Sequence, residues 1–153
     1  MTVLTTTNEN LIAERFIDSQ LRGAGIEDDP PDELMELVSD RVYAYAAPQG
    51  VTYPFIVHGR QASTDFTLLG GTRLWSDLLY LVRAVGRVSS WSSLAPIADL
   101  IDARLHEKSG PVEGGGAVLS CIRVEPFTLV EVVAGVQYRQ MGGVYRLLAQ
   151  AQE

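Results

Sequence analysis

Two histidines, His58 and His106, and one cysteine, Cys121, are the side chains from which this chain would have to build a Cys–His nucleophile pair or an imidazole metal site. Their surroundings argue against both. Cys121 lies in the apolar run Val118–Val124, where a small buried hydrophobe is expected, and a single cysteine excludes an internal disulfide. His58 falls in the alternating stretch Tyr53–Gln61, with Phe55 and Val57 on one face and Ile56, His58 and Arg60 on the other, so it reads as a strand residue facing a sheet surface or a neighbour. The acidic run Glu27-Asp28-Asp29 ahead of Pro30-Pro31 lacks the alternating oxygen ligands, central glycine and terminal glutamate of a calcium loop, and reads as a solvated helix start. Glu113-Gly114-Gly115-Gly116 would need a following helix with lysine and serine or threonine to cradle a phosphate. A strand pattern, Ala117–Glu125, follows instead, leaving a mobile loop. No catalytic residue, no metal and no cofactor is expected.

Composition fits that reading. The 153 residues suit one domain, and 46 % hydrophobic with 20 % charged residues is ordinary for a globular chain. The formal net charge of −7 argues against a protein that grips phosphates through a basic stripe, and suits a surface that repels DNA. Met1–Glu9 lacks the basic start and apolar core of a signal peptide, and no window approaches 18 uninterrupted apolar residues. Synthesis in the cytoplasm and no membrane association are expected.

The stretch Asp77–His106 positions the rest. In Asp77–Arg87, Leu78, Tyr80, Val82, Ala84 and Gly86 share one face, and Leu79, Leu81, Arg83, Val85 and Arg87 the other. That pattern fits a strand with one face under a helix and one partly wet. Its leucines also fit a helical stripe; the flanking glycines and Tyr80-Leu81-Val82 favour a strand, extended to Thr72–Arg87. A helix Leu94–His106 follows, burying Leu94, Ile97, Ala98, Ile101 and Leu105, with Asp99, Asp102, Arg104 and Glu107 towards water and the serines of Ser89–Ser93 as caps.

Upstream, a flexible arm over residues 1–8 precedes the domain, 9–150. It begins with a helix Glu9–Arg22 and a short helix Pro31–Ser39 capped by Asp29. Asp40–Tyr45 and Tyr53–Gln61 are strands, and Thr64–Leu69 extends the second or loops. Downstream, Pro126 breaks the pairing after Ala117–Glu125, and Phe127–Val133 forms a protruding hairpin arm or a continuation. A last strand, Val136–Gln140 and Val144–Ala149, is interrupted by a bulge or bend at Gly142-Gly143. The expected class is α+β: a single antiparallel (mixed) sheet of about four to five strands with helices packed on one face.

Three stretches carry a family likeness. They are Arg41-Val42-Tyr43 with Ala47-Pro48-Gln49-Gly50-Val51-Thr52-Tyr53-Pro54-Phe55-Ile56-Val57; Leu79–Gly86 with Leu94–Ala103; and Gln137–Leu147. Over about Asp40–Gln150 the chain resembles the tail terminator (tail-completion) proteins of long-tailed bacteriophages. The motifs are structural rather than catalytic. The resemblance implies a small α+β subunit of the virion, assembling as a six-membered ring that caps the tail tube. Such a ring ends tube polymerisation and meets the head–neck connector proteins, with DNA only as passing cargo. The implied partners are other copies of the chain, the tail tube protein and the neck.

Residues suited to anchor such contacts are Tyr53, Phe66, Trp75, Leu79, Leu81, Trp91, Phe127 and Leu129, with Glu113 and Gly115 in a docking loop. Asp28, Asp29, Asp32, Glu33 and Asp65 are candidates for a negative lumen that lets polyphosphate slide. Two alternatives stay open: another adaptor or stopper of the head–tail connector, and a small ligand-binding or enzymatic α+β domain.

Overall fold

The computed structural model describes residues 6–23, 32–67 and 73–151, the side chains of 6–8, 10, 65–67, 73 and 74 excepted. Ile12, Ala13, Phe16, Ile17 and Leu21 recur at helical spacing and are the buried stripe of α1 (Thr6–Leu21). The helix starts three residues before the sequence suggests, so residues 6–8 of the expected arm are helical; residues 1–5 lie outside the described residues. In α2 (Glu33–Val38) the cap is Asp32, not Asp29. The Asp32 carboxylate accepts from the N–H groups of Leu34 at 3.0 Å and Met35 at 3.4 Å.

One mixed sheet follows: β1 (Val42–Ala44), β2 (Phe55–Thr67), β3 (Arg73–Gly86), β4 (Gly110–Pro111), β5 (Ala117–Val133) and β6 (Val136–Gln150), in the order β1-β2-β3-β6-β5-β4. The sheet curls into a half-barrel. It has six strands rather than four to five, because the glycine–proline pair expected only to stop the helix Leu94–His106 adds a two-residue strand, β4, beside Ala117 and Val118. β1 runs parallel to β2, since residues 45–54 carry the chain back before β2 begins. The remaining pairs are antiparallel.

Pro126 does not break β5. It stands on the outer edge, where a missing N–H removes no ladder bond. β6 also runs unbroken through Gly142-Gly143; the irregularities fall on β5 instead, between Val118 and Ser120 and between Arg123 and Glu125.

All three helices share one face of the sheet. The core joins the stripe of α1, Leu34, Met35 and Val38 of α2, and Ile97, Ile101 and Leu105 of α3 (Ala95–Leu105) to Leu78, Tyr80, Val82 and Ala84 of β3 and Tyr145, Leu147 and Ala149 of β6. None of the serines before α3 caps it: the cap residue is Leu94, without a side-chain hydrogen bond. Nor do Asp102 and Arg104 simply face water. Asp102 accepts from the Tyr145 hydroxyl at 2.9 Å, tying α3 to β6, and Arg104 is 12 % exposed at the junction of the three helices.

His58 lies within this layer, 2 % exposed, with Nδ1 unpartnered among the described residues. Burial disfavours the charged imidazole and lowers its pKa to about 4 from the ordinary 6.5. The unfolded chain therefore takes up this proton at higher pH than the folded one. Stability from this group falls as pH drops through 6.5 and stops falling near 4. Between about pH 7 and about pH 5 the expected loss is about 2 kcal/mol. His58→Leu should remove that slope, which denaturant melts at the two pH values will read.

Candidate assembly surface

Alternation along β3 sends Leu79, Leu81, Arg83 and Val85 to the face opposite the helices. The register sets them beside Val57 of β2, Val144 and Leu148 of β6, and, one strand further, Phe127 and Leu129 of β5. The middle of this helix-free face is mostly apolar, with Arg83 within it and the Asp77–Arg146 pair towards one end. Curling of the sheet buries Phe55, Val57, Leu81 and Val144 there, and leaves Leu79, Val85 and Phe127 half-buried. At one end Phe55 meets Tyr43 edge-on, with ring centres 5.9 Å apart, and Tyr53 at 5.2 Å; Tyr53 also reaches Tyr138 at 5.8 Å. Arg146 holds Asp77 through both carboxylate oxygens. Arg83 has no such partner among the described residues: its Nε is buried without a hydrogen bond, and loss of water lowers its pKa.

The second feature is the β5–β6 hairpin. β4 covers β5 only at Ala117 and Val118, so the outer edge from Leu119 to Val133 meets no strand among the described residues. Its first half is managed locally. The Arg123 N–H donates to His106 Nδ1 at 3.1 Å, and the Cys121 carbonyl accepts from Glu107 N–H at 2.8 Å. The Arg123/Glu125 bulge and Pro126 then blunt the edge. The second half, Phe127–Val133, has neither device, and no helix lies over it. Val130, Val132 and Val133 are 45 %, 64 % and 57 % exposed. A hairpin tip with this much exposed valine and leucine is a candidate contact site.

Among the residues expected at contacts, Leu79, Leu81, Phe127 and Leu129 share the helix-free face, and Tyr53 joins its aromatic end. Trp75 and Trp91 are half-buried and pack on the core, and the Arg139 guanidinium stacks over Trp91 at 4.6 Å. Glu113 is exposed, its carbonyl accepting from Arg15, and Gly115 is in the same loop. Phe66 and Asp65 are in register with Trp75 and Ser76, but their side chains lie outside the described residues, as do Asp28 and Asp29 entirely. Glu33 is exposed at the start of α2; Asp32 is turned inward, 10 % exposed, onto Arg104. The sequence reading missed Arg83; an arginine flanked by apolar residues, Leu79 to Val82 before it and Ala84-Val85 after it, was the available signal.

The groups able to do covalent chemistry are not set up to do it: His106 lies beside the Cys121 strand, but its Nδ1 is taken by the Arg123 N–H. Cys121 is buried, with its thiol pushed up to about 12 by burial, and the two histidines belong to different elements. Among the described residues no three His, Cys, Asp or Glu side chains converge as a metal site, and no helix is long and apolar enough to cross a membrane. A cleft of about 780 Å³ separates the end of α1 from the glycine loop; Arg15, Asp18, Arg22 and Glu113 line it, with no nucleophile–base pair.

The chain matches no protein-family model and no curated protein sequence. Among solved structures it is similar to a chain of one described as "Virion of native gene transfer agent (GTA) particle", at 15 % identity and a TM-score of 0.65, over 91 % of this chain and 97 % of that one. At that identity the likeness is one of fold: a curled sheet with helices on one face, shared nearly end to end with a chain of a virion particle.

Proposed function

We propose that this chain is a structural subunit of a phage-like virion, and within it a tail terminator: a hexameric ring that caps the tail tube, ends its growth and joins it to the head–neck complex. The observation that carries this reading is the apolar hairpin, Phe127–Val133 with its partner strand, left uncovered on both sides in a fold shared with a virion component. A ring needs two different, complementary patches on each subunit, and the tip of the hairpin beyond Leu129 and the part of the helix-free face around Arg83 are two such patches. The partners in this reading are other copies of the chain, the tail tube protein and the connector proteins of the neck. DNA passes through the channel without being gripped, which the net charge of −7 favours. Exposed carboxylates such as Glu33 would line that passage.

The test is assembly with the tube protein present, followed by electron microscopy and mass measurement. Tubes of defined length ending in a ring of this chain are expected, with overgrown tubes when the chain is left out. Tubes indifferent to the chain, with the chain binding a filled head instead, would move it to another station of the neck.

A further inference from the structure

Arg83 is the one described side chain on the helix-free face that is charged, partly desolvated and unpaired; its neighbour in charge, Arg146, is already held by Asp77. It stands beside Val57 and between Leu81 and Val85 on its own strand. Gly142 puts no side chain between it and Phe127. A guanidinium in such apolar surroundings calls for a carboxylate carried on an apolar support.

The hairpin tip carries one. Leu129, Glu131 and Val133 alternate onto one face of β5, and all three are exposed. Glu131 has no ion-pair partner among the described residues. The two groups cannot meet within one copy. Glu131 lies four residues beyond Phe127, about 13 Å along the strand, and Arg83 two strands across, about 10 Å, giving a separation of about 16 Å.

We infer that the hairpin tip of one copy lies on the helix-free face of the next, with Leu129 and Val133 on its apolar surface and Glu131 paired to Arg83. Made head-to-tail, the contact repeats to close a ring or extend a filament; a closed dimer with both pairs made reciprocally would overturn the ring reading. The inference rests on the ring reading, for which it names the contact. Passing DNA is a poorer match for Arg83, because a phosphate backbone is held by a row of exposed cations and Arg83 is half-buried among Val57, Leu81 and Val85.

The experiment compares self-association of the full chain with Arg83→Glu, Glu131→Arg and the double reversal, by sedimentation across a concentration series. Each single reversal should weaken association by about tenfold or more, and the double should recover to within about threefold of the original. Glu131 is on the exposed tip, so its reversal leaves the core intact and reports the contact even if Arg83→Glu folds poorly. Independently, Arg83→Cys and Glu131→Cys chains, mixed and mildly oxidised, should form a disulfide-linked pair that neither forms alone; Cys121 is buried and stays out of the reaction. Rings that persist unchanged in both single reversals overturn this contact and leave the ring reading standing. A chain monomeric at every concentration, and with tube protein added, overturns both. Unchanged association with weakened retention of duplex DNA in Arg83→Glu assigns Arg83 to phosphate and overturns the inference.

Discussion

Arg104→Ala should destabilise the fold by about 3–5 kcal/mol, the range for stripping one partner from a buried ion pair. Arg104 Nη2 lies 2.6 Å from Asp32 Oδ1, and Nη1 donates to Asp32 Oδ2 at 3.2 Å and to the carbonyls of Leu21 at 3.2 Å and Gln20 at 3.4 Å. One guanidinium of α3 thus satisfies the open carbonyls at the end of α1 and the carboxylate that caps α2. The side chains are 12 % and 10 % exposed, so removing the arginine leaves a sheltered carboxylate uncompensated and the Leu21 carbonyl without its donor, while the Gln20 carbonyl keeps the Gly23 N–H. Arg104→Lys should recover only part of the loss, because an ammonium cannot form the parallel pair of bonds. Denaturant unfolding of the three proteins measures it.

The same contact sets an acid limit. The Arg104 hydrogen bond holds the Asp32 carboxyl below its ordinary 3.8. Its contribution is complete above 3.8 and is lost as pH falls through the depressed folded value. The His58 effect occupies a separate window, between 6.5 and about 4, so the two are distinguishable in one pH series.

The period of the apolar residues was legible along the chain, and with it the faces: Leu78, Tyr80, Val82 and Ala84 under the helices, Leu79, Leu81 and Val85 away from them. What one element's period cannot contain is what other elements bring to it. Arg104 reads as a water-facing residue of an isolated helix; only the convergence of α1 and Asp32 encloses it. Asp32 reads as one acid among several before a helix, and its register with Leu34 and Met35 selects it as the cap. Pro126 reads as a strand breaker because the sequence does not say that β5 is an edge. On the candidate surface, the apolar and aromatic anchors followed from residue type. The isolation of Arg83 did not, since an unpaired charge is a property of everything around it.

Gly142 is the clearest case of that kind, and its replacement should be among the most damaging single changes in the sheet. A Cβ on Gly142 would lie 2.6 Å from the Cα of Arg83, 2.9 Å from the carbonyl carbon of Val82 and nearer still to the Val82 oxygen. These are backbone atoms of β3, the central strand, bonded to β2 on one side and β6 on the other. They cannot step aside as the end of a side chain would. Gly142→Ala must therefore part β6 from β3 locally, at a cost of about 3 kcal/mol or more. At Gly143 the added methyl group would first meet Arg123 Cδ at 2.8 Å, part of a flexible and exposed side chain, so Gly143→Ala should cost about 1 kcal/mol. At Gly135, in the hairpin turn, nothing lies within 4 Å, and the requirement is only its positive φ of 79°. Asparagine tolerates that conformation, so Gly135→Asn should leave stability within about 0.5 kcal/mol. The ranking Gly142→Ala, Gly143→Ala, Gly135→Asn, read from melts of the three variants, distinguishes a strand held against its neighbour by a missing side chain from one that is merely bent. Equal losses at Gly142 and Gly143 would mean that the pair works as a hinge.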